Sequence, residues 1–222
     1  MNQYYTLLFR LEGPMQSWGY RSRFDYRDTA LEPTRSGVIG LICAAMGIAR
    51  GEDISGFGPL RMGVRVDEPT YWRDCFPRMT YEGPRPERDY HTALEVIKAD
   101  GKGRDTVVSY RDYLADASFT IGLESTDVSL LNSIAASLTQ PKWPLFLGRK
   151  AFPLAVPPVK PGDSPKPGKL EEHLLAGDKK ARIVLESPDG ERTQQDWPLN
   201  FGTRRFKPRT ITVGFTAGGG ES

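Results

Sequence analysis

One apolar helix, predicted between residues 32 and 50, constrains the fold of this chain more than any other segment. Pro33 fixes its entry, and Thr34 or Ser36 can cap the first free amides. Arg50, followed by a glycine, supplies a cation and then a stop at the far end. Because the interior is apolar almost all round, we expect this helix to be covered by the rest of the protein.

One face of the predicted helix carries almost no side chains. Gly37, Gly40, Ala44 and Gly47 are spaced by three, four and three residues and therefore share that face. Each glycine inside a helix costs roughly 1 kcal/mol relative to alanine. We therefore expect another group to approach the helix backbone closely at this face.

The first turn of the helix has the features of an anion site. Free amides, the positive end of the helix dipole, Arg35 and the hydroxyls of Thr34 and Ser36 together suit a phosphate group. The alternative is a capped core helix whose arginine is solvated. The local sequence leaves both interpretations open.

Arginine is concentrated in the first half of the chain. The 222 residues carry a net charge of only +2, but 20 of the 30 basic residues are arginines and 14 of those precede residue 112. Arginine grips phosphate and stacks on rings, so the bias fits a surface for a polyanion. It also fits a GC-rich coding bias.

The remaining composition argues against several classes of protein. Cys43 and Cys75 have neither a metal-like spacing nor a disulfide pattern, so we expect a reduced, cytoplasmic protein without a bound metal or other cofactor. No run approaches the roughly 18 apolar residues that span a bilayer. The first residues enter a strand pattern directly, so no membrane or export segment is expected.

The order of predicted elements indicates an α+β fold with a ferredoxin-like core. The predicted strands are Tyr4–Leu11, Leu60–Val66, an antiparallel pair Thr106–Leu114 and Ala117–Glu124, and a last run within Leu145–Val156. Besides the first helix, a second runs from about residue 127 to 138. This is the βαββαβ order of a ferredoxin-like unit, interrupted by a polar insertion at 69–105 that resembles a hairpin arm or a partly disordered segment.

A segment rich in proline, glycine and lysine, at 157–169, predicts a boundary between two modules. Residues 1–159 would form the core with its insertion, and residues 160–222 a small β-rich C-terminal module. In that module we predict a helix at Leu170–Leu175 and strands at Arg182–Glu186, Glu191–Trp197 and Arg209–Phe215.

The segment after the first strand interleaves aromatic residues with arginines. Between residues 15 and 27 lie Trp18, Tyr20, Arg21, Arg23, Phe24, Tyr26 and Arg27, without a lasting helix or strand period. Such a loop supplies stacking faces and phosphate grips for RNA. It can equally pack its aromatic rings on the domain surface.

Four motifs give the chain a resemblance to a known family. They are Gly13–Gly19, Pro33–Gly37, Tyr110–Phe119 and Leu147–Lys150. In this order they resemble the type I-E branch of the Cas-five family of CRISPR-associated proteins, within the RAMP superfamily. The resemblance covers about residues 4–156, and no motif of the tail contributes to it.

The resemblance implies a fold and a function. The fold is a ferredoxin-like, RRM-type core with a protruding thumb hairpin, and residues 69–105 occupy the place of that thumb. The function is that of a non-catalytic subunit of the Cascade surveillance complex, which caps the 5′ handle of the CRISPR RNA. The implied partners are this RNA, the neighbouring backbone subunit and the large subunit; target DNA is reached only through the assembled complex.

The expected RNA-binding residues come from the motifs and the arm. They are Gln16, Trp18, Thr34, Arg35, Ser36, Gly37, Arg88, Tyr90, Arg111, Gly148, Arg149 and Lys150. The tryptophan would stack or wedge, the helix mouth would hold phosphate, and the glycine turn would allow a close approach of the backbone.

An enzyme remains the alternative. Relatives in type I-C systems cut precursor RNA without metal, which requires a base and a cation or acid near the scissile bond. His91 and His173 are the two histidines, and His91 has an arginine and a tyrosine near it in sequence. A third possibility, an RRM protein outside CRISPR, lacks the aromatic strand signature of that class.

Overall fold

The computed structural model describes residues 3–19, 21–22, 25–76, 78–176 and 180–216, without the side chain of Arg73. The strands are β1 (Tyr5–Gln16), β2 (Tyr26–Arg27), β3 (Arg61–Asp67), β4 (Arg85–Ile97), β5 (Arg104–Ser125), β6 (Lys166–Pro167), β7 (Arg182–Glu186), β8 (Arg192–Asn200) and β9 (Arg205–Phe215). The helices are α1 (Arg35–Met46), α2 (Trp72–Cys75), α3 (Val128–Thr139) and α4 (Leu170–Leu174), with a 3-10 turn at Ser55–Phe57.

The described strands form one mostly antiparallel sheet. Its order is β6-β1-β5-β3-β7-β9-β8, and β2 and β4 pair with β5 outside this path. Only β2 runs parallel to its neighbour. The fold is therefore mixed, with α1 and α3 packed on each other and α4 on the strands β1, β3 and β5.

The C-terminal strands continue the sheet of the preceding part of the chain. β7 pairs with β3 between Gly63 and Arg65, and β9 then pairs with β7. The predicted strand at Arg182–Glu186 is confirmed. The strand predicted at Glu191–Trp197 begins one residue later, and the strand predicted at Arg209–Phe215 begins four residues earlier. The division of the chain at residue 160 remains a prediction about its organisation.

Strand β5 corrects one prediction. We expected two strands with a turn at residues 115 and 116, but β5 is a single strand of 22 residues. Asp116 has φ 49°, and the pairing with β1 passes from Gly13 opposite Ala117 to Met15 opposite Ala115. The turn-like residues therefore mark an irregularity inside one strand, because pairing with β1 continues on both sides of it.

The first half of β5 leaves the body of the protein as a hairpin with β4. The two strands pair from Arg85 opposite Ala115 to Ile97 opposite Arg104. Every residue of β4 except Ala93 is exposed. The polar arm predicted at 69–105 thus contains the short helix α2 and, from Arg85 to Ile97, the projecting strand β4.

The strand predicted within Leu145–Val156 is wrong. This segment lies along β1 with isolated backbone bonds: Ser17 N donates to Leu147 O at 3.0 Å and Ala155 N to Glu12 O at 2.8 Å. The two-residue strand β6 pairs with the start of β1 instead. Pro144, Pro153 and the prolines that follow remove the donors that a continuous ladder needs.

Helix α1 confirms the prediction of a covered helix, although it is shorter than the segment 32–50. Thr34 is the N-cap and accepts a hydrogen bond from Gly37 N at 3.2 Å. Gly47 closes the other end with φ 75°. The expected close approach is made by Trp18, whose ring would lie 2.7 Å from a Cβ at position 37.

A buried network of charges joins the start of α1 to the tail strands. Arg35 Nη1 lies 2.8 Å from a Glu186 carboxylate oxygen, and Arg209 contacts both Glu186 at 3.2 Å and Asp196 at 2.6 Å. Asp196 also accepts a hydrogen bond from Arg35 N at 2.8 Å. We call Arg35, Glu186, Asp196 and Arg209 the buried ion network. Two cations and two carboxylates balance each other in the interior.

We expect Arg35→Met to destabilise the protein by about 3 kcal/mol, because one partner of a buried charge pair is removed. The control is Arg104→Ala, which breaks an exposed pair with Glu95 and should change the free energy of unfolding by less than about 1 kcal/mol. Urea unfolding measures both variants. Equal stability of the two variants would contradict the structural role of Arg35.

Gly148 has φ 86°, and a Cβ at this position would overlap the Ser17 carbonyl oxygen. Gly148→Ala should therefore cost clearly more than the roughly 1 kcal/mol of a left-handed alanine. Gly101→Ala is the matched control, since Gly101 has φ 72° with open space around it. If urea unfolding gives the same loss for both variants, the close contact with Ser17 is absent in solution.

Candidate nucleic-acid interface

Several of the predicted RNA-binding residues meet where the β4–β5 hairpin leaves the body of the protein. At this point β2 lies beside β5, and the turn at 147–150 lies beyond the end of β1. We call this region the hairpin-base surface and define it by Tyr26, Arg27, Arg88, Tyr90, Tyr110, Arg111, Asp112, Gly148, Arg149 and Lys150. Alternation along the strands divides it into a tyrosine side and an arginine side.

Asp112 organises the tyrosine side. Its carboxylate accepts a hydrogen bond from Arg88 Nε at 2.8 Å and another from the Tyr26 hydroxyl, while Arg88 Nη2 donates to Tyr26 Oη at 2.8 Å. The bond from Arg88 holds the pKa of Asp112 below its ordinary value. Donation to Asp112 raises the pKa of Tyr26. These bonds hold a charged, hydrogen-bonded cluster in place at the root of the hairpin.

Two tyrosine rings extend from this cluster. Tyr90 on β4 lies opposite Tyr110 on β5, and the two side chains are 66% and 50% exposed. Arg88 also lies over the ring of Tyr26, 5.2 Å from its centroid. The tyrosine side therefore presents exposed aromatic faces beside an arginine, which is the composition that stacks nucleobases.

Arg27, Arg111 and Arg149 form the arginine side. Arg27 lies beside Arg111 in the β2–β5 pair, and Arg149 Nη2 donates to the Asp112 carbonyl oxygen at 2.8 Å. The pKa of Arg149 is lowered first by burial, then by the positive charges of Arg111 and Arg27, with Asp112 and Asp89 acting in the opposite sense. Arg149 is thus subject to repulsion from two neighbouring cations, which Asp112 and Asp89 oppose, and a bound anion would favour its charged form further.

The turn carrying Arg149 is held on both sides. Leu147 N donates to Phe152 O at 2.8 Å, and Phe152 N donates to Arg149 O at 2.9 Å. Gly148 lies against the Ser17 carbonyl, where the glycine is required. Gly148 and Lys150 are themselves exposed. The motifs Gly13–Gly19 and Leu147–Lys150 are therefore two sides of one packed corner.

The structure corrects the roles expected of Gln16 and Trp18. Gln16 is fully buried and donates to the carbonyl oxygens of Leu11 and Ala117. Trp18 is 2% exposed, and its Nε1 donates to Gln16 Oε1 at 3.0 Å. The ring packs on α1 and has no face left for a base. Gln16 and Trp18 therefore support the neighbouring surface from the protein interior.

The helix mouth is corrected as well. Arg35 is 1% exposed and its guanidinium belongs to the buried ion network, while Thr34 is buried and serves as the cap. Ser36 and Gly37 are partly buried, the latter against Trp18. Because Asp196 accepts from the Arg35 amide, an internal carboxylate occupies the place that the sequence suggested for a phosphate.

The structure brings together Arg88, Tyr90, Arg111, Gly148, Arg149 and Lys150 among the residues expected from the sequence. It adds residues that were not selected: Tyr26, Arg27, Tyr110 and Asp112. Tyr26 and Arg27 belong to the interleaved aromatic and arginine segment, which was the available signal. Tyr20, Arg23 and Phe24 of the same segment lie outside the described residues.

His91 and His173 occupy different surroundings. His91 Nδ1 lies 3.3 Å from Arg111 Nη2 on the arginine side. His173 Nε2 lies 2.8 Å from the Pro167 carbonyl oxygen. Among the described residues, no group of three or more histidine, cysteine, aspartate or glutamate side chains is arranged to hold a metal ion. Within the same ranges, no helix has the length and apolar character needed to cross a membrane.

Comparisons with known proteins place the chain in a family. Residues 6–214 match the family model described as CRISPR-associated protein (Cas_Cas5). The CRISPR system Cascade subunit CasD of Escherichia coli (strain K12) is 32% identical over 215 residues, which cover 91% of this chain and 92% of the relative.

Solved structures agree with this match. A chain from a structure titled CRISPR RNA-guided surveillance complex has a TM-score of 0.74 and 30% identity, covering 95% of this chain and 90% of the other. A structure titled Crystal structure of Cas protein has a TM-score of 0.70 and 38% identity, covering 95% and 94% of the two chains. The match to the family model, over residues 6–214, spans the hairpin-base surface and the tail strands. The chain therefore belongs to the Cas5 family of CRISPR-associated proteins.

Proposed function

We propose that this protein is a non-catalytic RNA-binding subunit of a type I-E Cascade complex, where it caps and holds the 5′ handle of the CRISPR RNA. The relationship to CasD, a Cascade subunit, supports this function over nearly the full length of both chains. Antiviral surveillance of DNA then depends on the assembled complex. The RNA is held through the hairpin-base surface.

The observation that best supports this function is that Arg27, Arg111 and Arg149 lie on one side of the hairpin-base surface. The positive charges of Arg27 and Arg111 both act on the half-buried Arg149, against the carboxylates of Asp112 and Asp89, so a bound phosphate would favour the charged form of Arg149. A phosphate accepts two parallel hydrogen bonds from each arginine and removes the repulsion. The phosphodiester backbone of a single RNA strand supplies such anions at regular intervals. Tyr90 and Tyr110, on the opposite face of the hairpin, offer separate rings on which bases can stack.

The fold supports the same assignment. The neighbouring strands β6-β1-β5-β3, with α1 following β1 and α3 following β5, have the order of a ferredoxin-like RAMP core. The projecting β4–β5 hairpin corresponds to the thumb of that family. Handle RNA would then lie where the thumb joins the core.

The hairpin also carries a surface for a protein partner. Leu94 is 72% exposed and Ile97 67% exposed near its tip, with Val107 and Val108 about 40% exposed on the facing strand. Apolar side chains at such exposure are covered when a partner docks. We assign this tip to the neighbouring backbone subunit of Cascade, with the large subunit as a further partner of the assembled chain.

Metal-independent cleavage of repeat RNA is the second candidate function. One observation favours it: His91 Nδ1 lies 3.3 Å from Arg111 Nη2, which pairs a potential base with a cation. Tyr90, its neighbour in sequence, points to the other side of the strand because side chains alternate. The residues Arg88 to His91 therefore do not form one catalytic group, and binding accounts for Arg111 without chemistry.

Arg149→Ala should weaken binding of handle RNA about tenfold, because charge-assisted hydrogen bonds to phosphate are lost. The slope of log K against log salt should fall by about 0.7 per lost phosphate contact to a single strand. Fluorescence anisotropy on the complex assembled with each variant measures both values. Arg104→Ala, in the exposed part of the hairpin, is the matched control.

An unchanged affinity and salt slope for Arg149→Ala, with normal assembly, would remove the arginine side from the RNA site. An equal loss of RNA binding in Arg104→Ala would show that the binding depends on positive charge in general and not on the arginine side. Thermal unfolding of both variants verifies that the corner at residues 147–150 remains folded.

Purified protein incubated with repeat RNA and a chelator should give no cleavage product, because Arg111, the cation beside His91, is assigned to phosphate binding on the arginine side. A gel assay reports the outcome. Site-specific cleavage that His91→Ala abolishes while RNA binding survives would replace the binding function with the enzymatic one.

A further inference from the structure

A cavity lies between α1, the 3-10 turn and the β8–β9 hairpin, and it shares no residue with the hairpin-base surface. Its volume is about 350 Å³. The walls are mainly apolar, and they include Ile39, Ile54, Phe57, Pro59, Pro198 and Leu199. Leu199 is 45% exposed at the cavity. A space of this size and lining holds one large apolar side chain with part of its backbone.

One polar group at the floor of the cavity is closed to solvent. Arg35 lines it, and Arg35 Nε is buried without a hydrogen-bond partner among the described residues. The charge of this arginine is balanced by Glu186, which lies 2.8 Å from Nη1. Because Nε is itself buried, the choice of an occupant depends on the apolar lining and on the charge of the rim.

The aromatic ring in the cavity is already covered by cations. Trp197 has the Arg35 guanidinium 3.7 Å and the Lys207 ammonium 4.3 Å from its ring centroid. Two like charges at such distances cannot share one face of a ring, so they occupy both faces. Because stacking on an aromatic face is the main means of holding an unpaired base, this arrangement disfavours a nucleobase as the occupant.

The rim of the cavity is positive. Lys207 lines the cavity, and Arg204 and Arg205 lie just before it along the chain. All three are exposed, and among the described residues none of them forms an ion pair. Among the residues that the structure describes, no carboxylate lines the cavity. Asp53 is near the 3-10 turn, but both of its oxygens accept hydrogen bonds from Ser55. An occupant with negative charge beside its apolar part is thus complementary to this rim.

From these observations we propose that the cavity is a docking site for a segment of a partner polypeptide. The segment inserts one aliphatic side chain and places acidic residues against Arg205 and Lys207. This anchor-and-rim arrangement is that of a protein–protein hot spot. It does not depend on the RNA function of the hairpin-base surface.

Three fluorescein-labelled peptides test the proposal on the full-length protein by anisotropy. The first is Asp-Glu-Leu-Asp-Glu, the second replaces its acids by Asn and Gln, and the third replaces its leucine by serine. We expect saturable binding of the first and at least about tenfold weaker binding of the other two, since each lacks one half of the recognition. Equal binding of all three, or no saturation by the first, would overturn the proposal.

Two substitutions test whether the first peptide binds in the cavity. Leu199→Glu places a carboxylate at the mouth and Lys207→Glu reverses the rim charge, and each should weaken the first peptide at least about tenfold. Lys102→Glu, in the exposed turn of the β4–β5 hairpin, is the charge-matched control and should leave binding unchanged. Peptide binding that survives both cavity substitutions would overturn the proposal.

Competition between handle RNA and the first peptide tests whether the cavity is distinct from the RNA-binding surface. We expect the RNA not to displace the first peptide, and Lys207→Glu to retain RNA binding that Arg149→Ala weakens. Displacement of the peptide by RNA, together with loss of RNA binding in Lys207→Glu, would assign the cavity to nucleic acid and overturn the proposal. Failure of Arg149→Ala to affect RNA would count against the RNA function alone.

Discussion

The buried ion network is the interaction on which the arrangement of the whole chain depends. Arg35, at the first turn of α1, and Arg209, on β9, share Glu186 at the end of β7. Removing charges from water costs several kcal/mol per ion unless each is paired. The network therefore ties the first turn of α1 to β7, β8 and β9, and loss of one member would leave another charge buried without its partner. The same pairing closes the helix mouth to outside anions and turns Arg35 towards the cavity beside Trp197.

Strand β5 links the packed body to the surface proposed for RNA. Its second half lies between β1 and β3, whereas its first half forms the exposed hairpin with β4. Where β1 ends, the turn at 147–150 takes its place beside β5, and Gly148 allows the close contact with Ser17. A rigid strand thus holds the arginine and tyrosine sides at a fixed separation, which preorganises them for a ligand.

Local sequence patterns predicted the elements whose signals are local. The caps Thr34 and Asp127 begin α1 and α3, and the alternation at Leu60–Val66 and Arg182–Glu186 gave β3 and β7. The glycine face of α1 correctly indicated a close neighbour. Half of the expected site residues meet at the hairpin-base surface, because they belong to motifs that lie on or beside β5. The family was likewise evident from the motifs.

The residues themselves determined the helices, most strands and the supply of arginines and tyrosines suited to RNA; the tertiary structure decided which of these remain accessible. Trp18 and Arg35 have side chains that suit a ligand, but their partners Gln16 and Glu186 are buried with them, the latter 151 positions away in sequence. Pairing across such distances also made β5 one strand and left residues 145–156 without a ladder. Burial and partner choice depend on contacts between distant segments, whereas propensity and capping depend on neighbours within a few residues.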